Sequence, residues 1–181
     1  MLVLWATPPR STSTAFEWMM RQRGDFTSFN EAYSYGSDRR SQGDANVLET
    51  EGLSFSAVWS SLAEAEAMNP VFVKGFAYSV EHDLTDERLA GITSTFLLRD
   101  PRRVIQGLAN YWPDCTRDQV GFVALHRLFH RVANRDGVAP PVLLSADLLD
   151  RSAQATRAFC HPWVSTSDLT RSNGTLAIGV R

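Results

Sequence analysis

The stretch Leu2-Val3-Leu4-Trp5-Ala6-Thr7-Pro8-Pro9-Arg10-Ser11-Thr12-Ser13-Thr14 decides the fold. Leu2 to Trp5 is a short unbroken apolar run, as expected of a parallel strand covered on both faces. Thr14 to Arg23 has helix-compatible composition, with Ala15, Phe16, Trp18, Met19 and Met20, and stops at Gly24, a C-cap signal. The turn between them carries a cation and four hydroxyl residues. The first N–H groups of a helix have no internal partner, and the macrodipole adds partial positive charge there. Ser11, Thr12, Ser13 and Thr14 add donors, and the Arg10 fork matches phosphate or sulfate oxygens. The turn therefore reads as an anion site, with a plain N-cap cluster as the alternative. It lacks the glycines and lysine of G-x-x-x-x-G-K-[ST], which argues against Mg-dependent triphosphate hydrolysis.

Outward from this unit the pattern repeats. Phe26 to Asn30, Val71 to Val73, Thr95 to Leu98 and Val142 to Leu144 read as further strands. Helical pieces lie between Val47 and Met68, from Pro101 to about Tyr111, and from Val120 to Val132. Asp147 is expected to cap a last helix running to about Cys160. Short apolar strands separated by helices predict an α/β fold of three layers, α/β/α, with a central parallel sheet. Ligands of such sheets bind at the carboxyl ends of the strands. Ser34 to Asn46 is polar and reads as a mobile loop, and 161–181 as an irregular tail after a domain spanning 1–160.

Composition narrows the function classes. The chain has 181 residues, 44% hydrophobic and 21% charged, which suits one globular domain and excludes a disordered or fibrous chain. Eighteen basic against 20 acidic residues leave a net charge of -2, so bulk binding to nucleic acid is not expected. No apolar run nears the roughly 20 residues that cross a bilayer. The apolar N-terminus reads as a first strand beginning at Met1 rather than as a signal peptide. Two cysteines, Cys115 and Cys160, make no disulfide framework, and a cytoplasmic location is expected.

A second element, Leu97-Leu98-Arg99-Asp100-Pro101-Arg102-Arg103, places Arg99 at a strand end beside a helix start. An arginine there can pair with a second phosphate; a surface ion pair is the commoner use. Together the two elements resemble the sulfotransferase family that uses 3'-phosphoadenosine 5'-phosphosulfate (PAPS). In that family a loop of the form P-[KR]-S-G-[ST]-T holds the 5'-phosphosulfate, and R-[DN]-P holds the 3'-phosphate. Pro9 to Thr14 and Arg99-Asp100-Pro101 match in order and placement. The resemblance covers residues 1 to about 160 and is nearest to small bacterial members, which carry a Glu after the second strand and a Lys after the third. Glu31 and Lys74 stand there in this chain.

The resemblance implies a P-loop nucleotide-binding fold and transfer of a sulfuryl group from PAPS, as co-substrate and without metal, to a hydroxyl or amine of a small-molecule acceptor. It implies that Arg10, Ser11, Thr12, Ser13, Thr14 and Arg99 hold the nucleotide. It implies catalytic roles for Arg10, for Lys74 at the transferring group and for Glu31 as base. Glu31 as a solvated loop carboxylate and Lys74 as a strand-end cation reaching to water are the alternatives. His82, between carboxylates, is a second candidate base.

Three departures bear on the nucleotide. Thr12 replaces the loop glycine, which restricts φ and close approach. Gly107 stands where the family's serine binds the 3'-phosphate, a loss of about 1.5–3 kcal/mol. After His161 no counterpart of the family's closing segment is visible. A diverged sulfotransferase fold without PAPS activity, acting by other chemistry or as a binding partner, is therefore the second reading, and a small-molecule kinase the third. His126 and His130 have zinc-compatible spacing, but without H-E-x-x-H they read as packing or capping residues. Tyr33, Tyr35, Phe55, Trp59, Phe76 and Tyr78 are candidates either for an acceptor pocket or for core. Nothing in the pattern selects an acceptor or an oligomeric state.

Overall fold

The computed structural model describes residues 1–33, 54–81 and 83–160. His82, Tyr35, the polar segment 34–46 and the tail 161–181 lie outside the described residues. Five strands, β1 (Leu2–Thr7), β2 (Thr27–Asn30), β3 (Val71–Phe76), β4 (Ile92–Leu98) and β5 (Val142–Leu144), form one sheet in the order β2-β3-β1-β4-β5. All four pairings are parallel, with Leu2 opposite Val71 and Ile92, Thr27 opposite Val71, and Leu98 opposite Leu144.

The two faces follow from strand alternation. On β1, Leu2, Leu4 and Ala6 join one core cluster with residues of the helices α2 (Phe55–Met68), α3 (Ala77–Val80), α4 (Asp86–Ala90) and α6 (Phe122–Asp136). Val3 and Trp5 join the other, with α1 (Ser13–Arg23) and α8 (Ser152–Cys160). Trp5, Phe16, Phe72 and Phe159 form its aromatic centre, with Trp5 and Phe16 ring centroids 4.2 Å apart. This is the expected three-layer α/β/α fold with a central parallel sheet. Among the described residues no helix is long and apolar enough to cross a membrane.

Three expectations change. The helix after β5 begins at once, as α7 (Ser145–Asp150), without a side-chain cap from Asp147, and breaks at Arg151 before α8. The strands β3 and β4 run longer than their apolar cores, to Phe76 and from Ile92. Between them stand α3 and α4, which the apolar pattern does not announce. Both are braced from α6: the Arg131 guanidinium donates to the Glu81 carbonyl just after α3 at 3.4 Å and to the Leu84 carbonyl just before α4 at 2.7 Å, and Arg135 donates to the Leu89 carbonyl within α4. α5 (Pro101–Ala109) has Pro101 in its first turn, as expected, and the Asp100 carboxylate accepts from the Arg102 amide at 2.8 Å.

Candidate functional site

In the order β2-β3-β1-β4-β5 the connections leave β1 toward β2 and leave β3 toward β4. The crevice between β1 and β3 is thus the switch point where ligands of such sheets bind. The described site residues lie along the carboxyl rim of the sheet, on the turns after β1, β2 and β4, at the start of α1 or near the end of β3.

The turn after β1 holds two non-glycine residues with left-handed backbone, Arg10 (φ 54°) and Thr12 (φ 70°). A β-branched residue rarely adopts this region. Thr12 thus keeps the conformation that a glycine takes without cost. It occupies the N-cap position of α1 yet makes no capping bond. Its hydroxyl instead donates to the Ser11 carbonyl and lies 2.9 Å from Ser145 Oγ. With the Thr12 proton committed to Ser11, the Ser145 hydroxyl is the donor in that contact. The Ser11 hydroxyl donates to the Pro8 carbonyl at 2.6 Å and is fully buried. Among the described residues, none of the Ser11 to Thr14 amides donates to a backbone carbonyl outside α1. The cap reading of these hydroxyls is therefore not what the turn does. Two of them hold the turn's shape while its amides stay available.

Neighbouring elements brace the same turn. Arg99 donates from Nη1 to the Arg10 carbonyl, so this guanidinium rests on the loop rather than in a surface ion pair. The Arg10 side chain crosses α5 over Gly107: a Cβ there would meet Arg10 Cβ at 3.3 Å and its Nε at 3.5 Å. Its guanidinium ends 5.5 Å from the Tyr111 ring centroid. The missing serine at 107 and the Arg10 path are thus one feature, since any side chain at 107 crowds Arg10. Gly121, at the start of α6 with φ 87°, lies against Pro8 and Pro9; a Cβ there would approach Pro9 to 3.2 Å.

On the other side of the crevice, Lys74 is fully buried and Nζ pairs with the Glu31 carboxylate. Lys74 does not reach to water, and Glu31 is not a solvated loop carboxylate; its side chain is 17% exposed. The ammonium also lies 4.5 Å from the Phe76 ring centroid. Glu31 is the third non-glycine residue with positive φ, 54°, and its amide donates to the Lys74 carbonyl at 2.8 Å. Two buried polar atoms beside these residues have no hydrogen-bond partner among the described residues: Thr7 Oγ1, at the end of β1, and Asn30 Oδ1, at the end of β2.

The aromatic candidates divide. Tyr33 is core, stacked on Phe55 at 5.9 Å, and Trp59 and Tyr78 pack against the same cluster. Burial, with the Asp83 carboxylate nearby, raises the Tyr33 phenol above its ordinary range. Phe76 stacks on Tyr78 at 5.6 Å beside Lys74. Burial raises the Cys160 thiol as well, which makes it a packing residue. Ser145 is the site residue missing from the sequence reading; its only signal was a small hydroxyl at the end of a predicted strand. Among the described residues no group of three or more metal-ligating side chains occurs.

No family model matches the chain, and no curated protein matches it. Among solved structures, YorR from Bacillus subtilis, in complex with phosphorylated GDP, is similar over 91% of this chain and 100% of YorR. The TM-score is 0.50 and the identity 13%, so what the two chains share is the α/β fold.

Proposed function

We propose that this protein is a sulfotransferase that moves a sulfuryl group from PAPS to a hydroxyl or amine of a small-molecule acceptor. The observation that carries this reading is the rim itself. A buried Lys74–Glu31 pair and an arginine-bearing turn with free amides face one crevice on adjacent strands. The residues suit the donor: the turn keeps its left-handed shape despite Thr12, and Gly107 leaves room for Arg10. PAPS supplies a sulfuryl group bound to a phosphate leaving group. Arg10 and the Thr12 to Thr14 amides neutralise charge gathering on that phosphate, through donors fixed before reaction. Lys74 neutralises charge on the transferring group. Glu31 takes the acceptor proton as the new bond forms. Arg99 contributes to the 3'-phosphate with the guanidinium N–H groups not used on the Arg10 carbonyl.

A second reading has specific support. Arg99 holding the loop and Glu31 already paired with Lys74 also suit a protein that binds a nucleotide without sulfuryl transfer. YorR, of the same fold, is solved with phosphorylated GDP. Transfer of labelled sulfate from PAPS to a panel of phenols, alcohols and amines separates the two. Activity in the wild type that is lost in Arg10→Ala and Glu31→Gln supports the first reading. Binding of adenosine 3',5'-bisphosphate without transfer supports the second.

A further inference from the structure

His126 and His130 lie one turn apart on α6, both exposed, while Ala124, Leu125, Leu128 and Val132 take its buried face. They neither pack in the core nor cap the helix, as the sequence reading expected. Their rings meet each other: Nε2 lies 3.1 Å from Nε2, with centroids 4.3 Å apart and planes inclined by 61°. The His130 ring is also steadied edge-on by Phe129, at 5.6 Å.

That nitrogen separation has a second meaning. Metal–imidazole bonds of about 2.0–2.1 Å place two nitrogens 3.1 Å apart when they subtend roughly 95–100° at one ion, between square-planar and tetrahedral values. The helix already holds both donors at the spacing of neighbouring ligands. The flanking cations do not oppose an ion freely. Arg127 is bonded to the Glu81 carboxylate, with Nε to Oε2 at 3.0 Å, and Arg131 to Asp86 at 2.7 Å.

We propose that His126 and His130 form a two-histidine chelate for a divalent first-row transition ion of the imidazole-preferring class. Copper(II) binds most tightly, with nickel(II) and zinc(II) weaker. Among the described residues no third ligand joins the pair, and closed structural sites need four. The ion replaces the proton shared by the two Nε2 atoms, and the ring that carried it takes the Nδ1–H tautomer.

Isothermal titration of the full chain with copper(II), nickel(II) and zinc(II) chlorides tests this. One ion per chain is expected, with affinity falling about tenfold or more in either His126→Gln or His130→Gln, since each removes the chelate. Cys115→Ser should bind as the wild type does. Both histidines are exposed, so the variants should melt at the wild-type temperature without metal and lose only the metal-induced rise. No binding at millimolar metal, or affinity unchanged in both histidine variants, overturns the proposal.

Discussion

Glu17 and Lys74 are both shut away from solvent, at 2% and 0% exposure, and each has a charged partner. Glu17 is served locally. Arg21, one turn along α1, binds its carboxylate at 2.9 Å, and the Ser28 hydroxyl donates to it at 2.7 Å. No residue of that set leaves ordinary backbone geometry. Lys74 is served by Glu31, a residue held at φ 54° after the end of another strand. Left-handed backbone costs an ordinary residue about 1–2 kcal/mol. Among the described residues, the three non-glycine residues that bear this cost are Arg10, Thr12 and Glu31, all on the carboxyl rim. Glu17 neutralises a charge where folding buries it. The rim holds charges and amides in shapes that folding alone does not favour, a pattern that gathers at functional sites.

The sharpest way to break this comparison is to remove one partner from each pair. Glu31→Ala removes a carboxylate from the buried Lys74 ammonium and is expected to destabilise the fold, measured by urea unfolding. It should also lower any sulfuryl transfer by about a hundred- to ten-thousand-fold, the usual contribution of a general base. Glu17→Ala should destabilise as well, by removing the acceptor for Ser28 and Arg21, yet leave nucleotide affinity within twofold of wild type, or about 0.4 kcal/mol. A loss of sulfuryl transfer in Glu17→Ala equal to that in Glu31→Ala would erase the distinction.

A smaller effect sharpens the reading of the loop. Ser145→Ala should cost about 1 kcal/mol, because Thr12 loses its buried partner. In a Thr12→Gly background, where left-handed backbone is free and the hydroxyl is gone, Ser145→Ala should cost measurably less. A double-mutant cycle in urea should give a coupling near 1 kcal/mol; a coupling of zero would mean that Ser145 does not hold the turn.

The smallest effect concerns Tyr33, whose buried hydroxyl has no hydrogen-bond partner among the described residues. Tyr33→Phe should stabilise the fold by up to about 1 kcal/mol, since an unmet hydroxyl carries a desolvation cost. Burial raises the phenol above its ordinary value near 10, so its contribution is present below that pH and is lost as pH rises through and beyond it. Melting temperature against pH should therefore fall less steeply on the alkaline side in Tyr33→Phe than in the wild type.

How much of this was legible depended on whether the cause was local. The β1 turn and α1 follow from apolar residues, prolines, hydroxyls and Gly24 in one stretch, and β5 lies where Val142 to Leu144 put it. The residue types of the rim were legible too: Arg10, Glu31, Lys74 and Arg99 could be singled out as candidates. Their contacts were not. Arg99 resting on the Arg10 carbonyl and Ser145 meeting Thr12 across 133 positions depend on sheet order, which no local pattern encodes. The short helices α3 and α4 escaped for the same reason, being braced by arginines of α6 at Glu81, Leu84 and Leu89. The histidines of α6 were legible as a spacing, but only the ring geometry shows that they face each other.

The most direct test of the central claim, that this rim binds a nucleotide, is thermal unfolding with and without adenosine 3',5'-bisphosphate. At one hundred times Kd, binding stabilises the native state by about 2.7 kcal/mol, a rise of roughly 5–11 °C in Tm for a chain of this size. The account predicts that rise in the wild type and its loss in Arg10→Ala. No rise at millimolar ligand, or the same rise in Arg10→Ala, would contradict it.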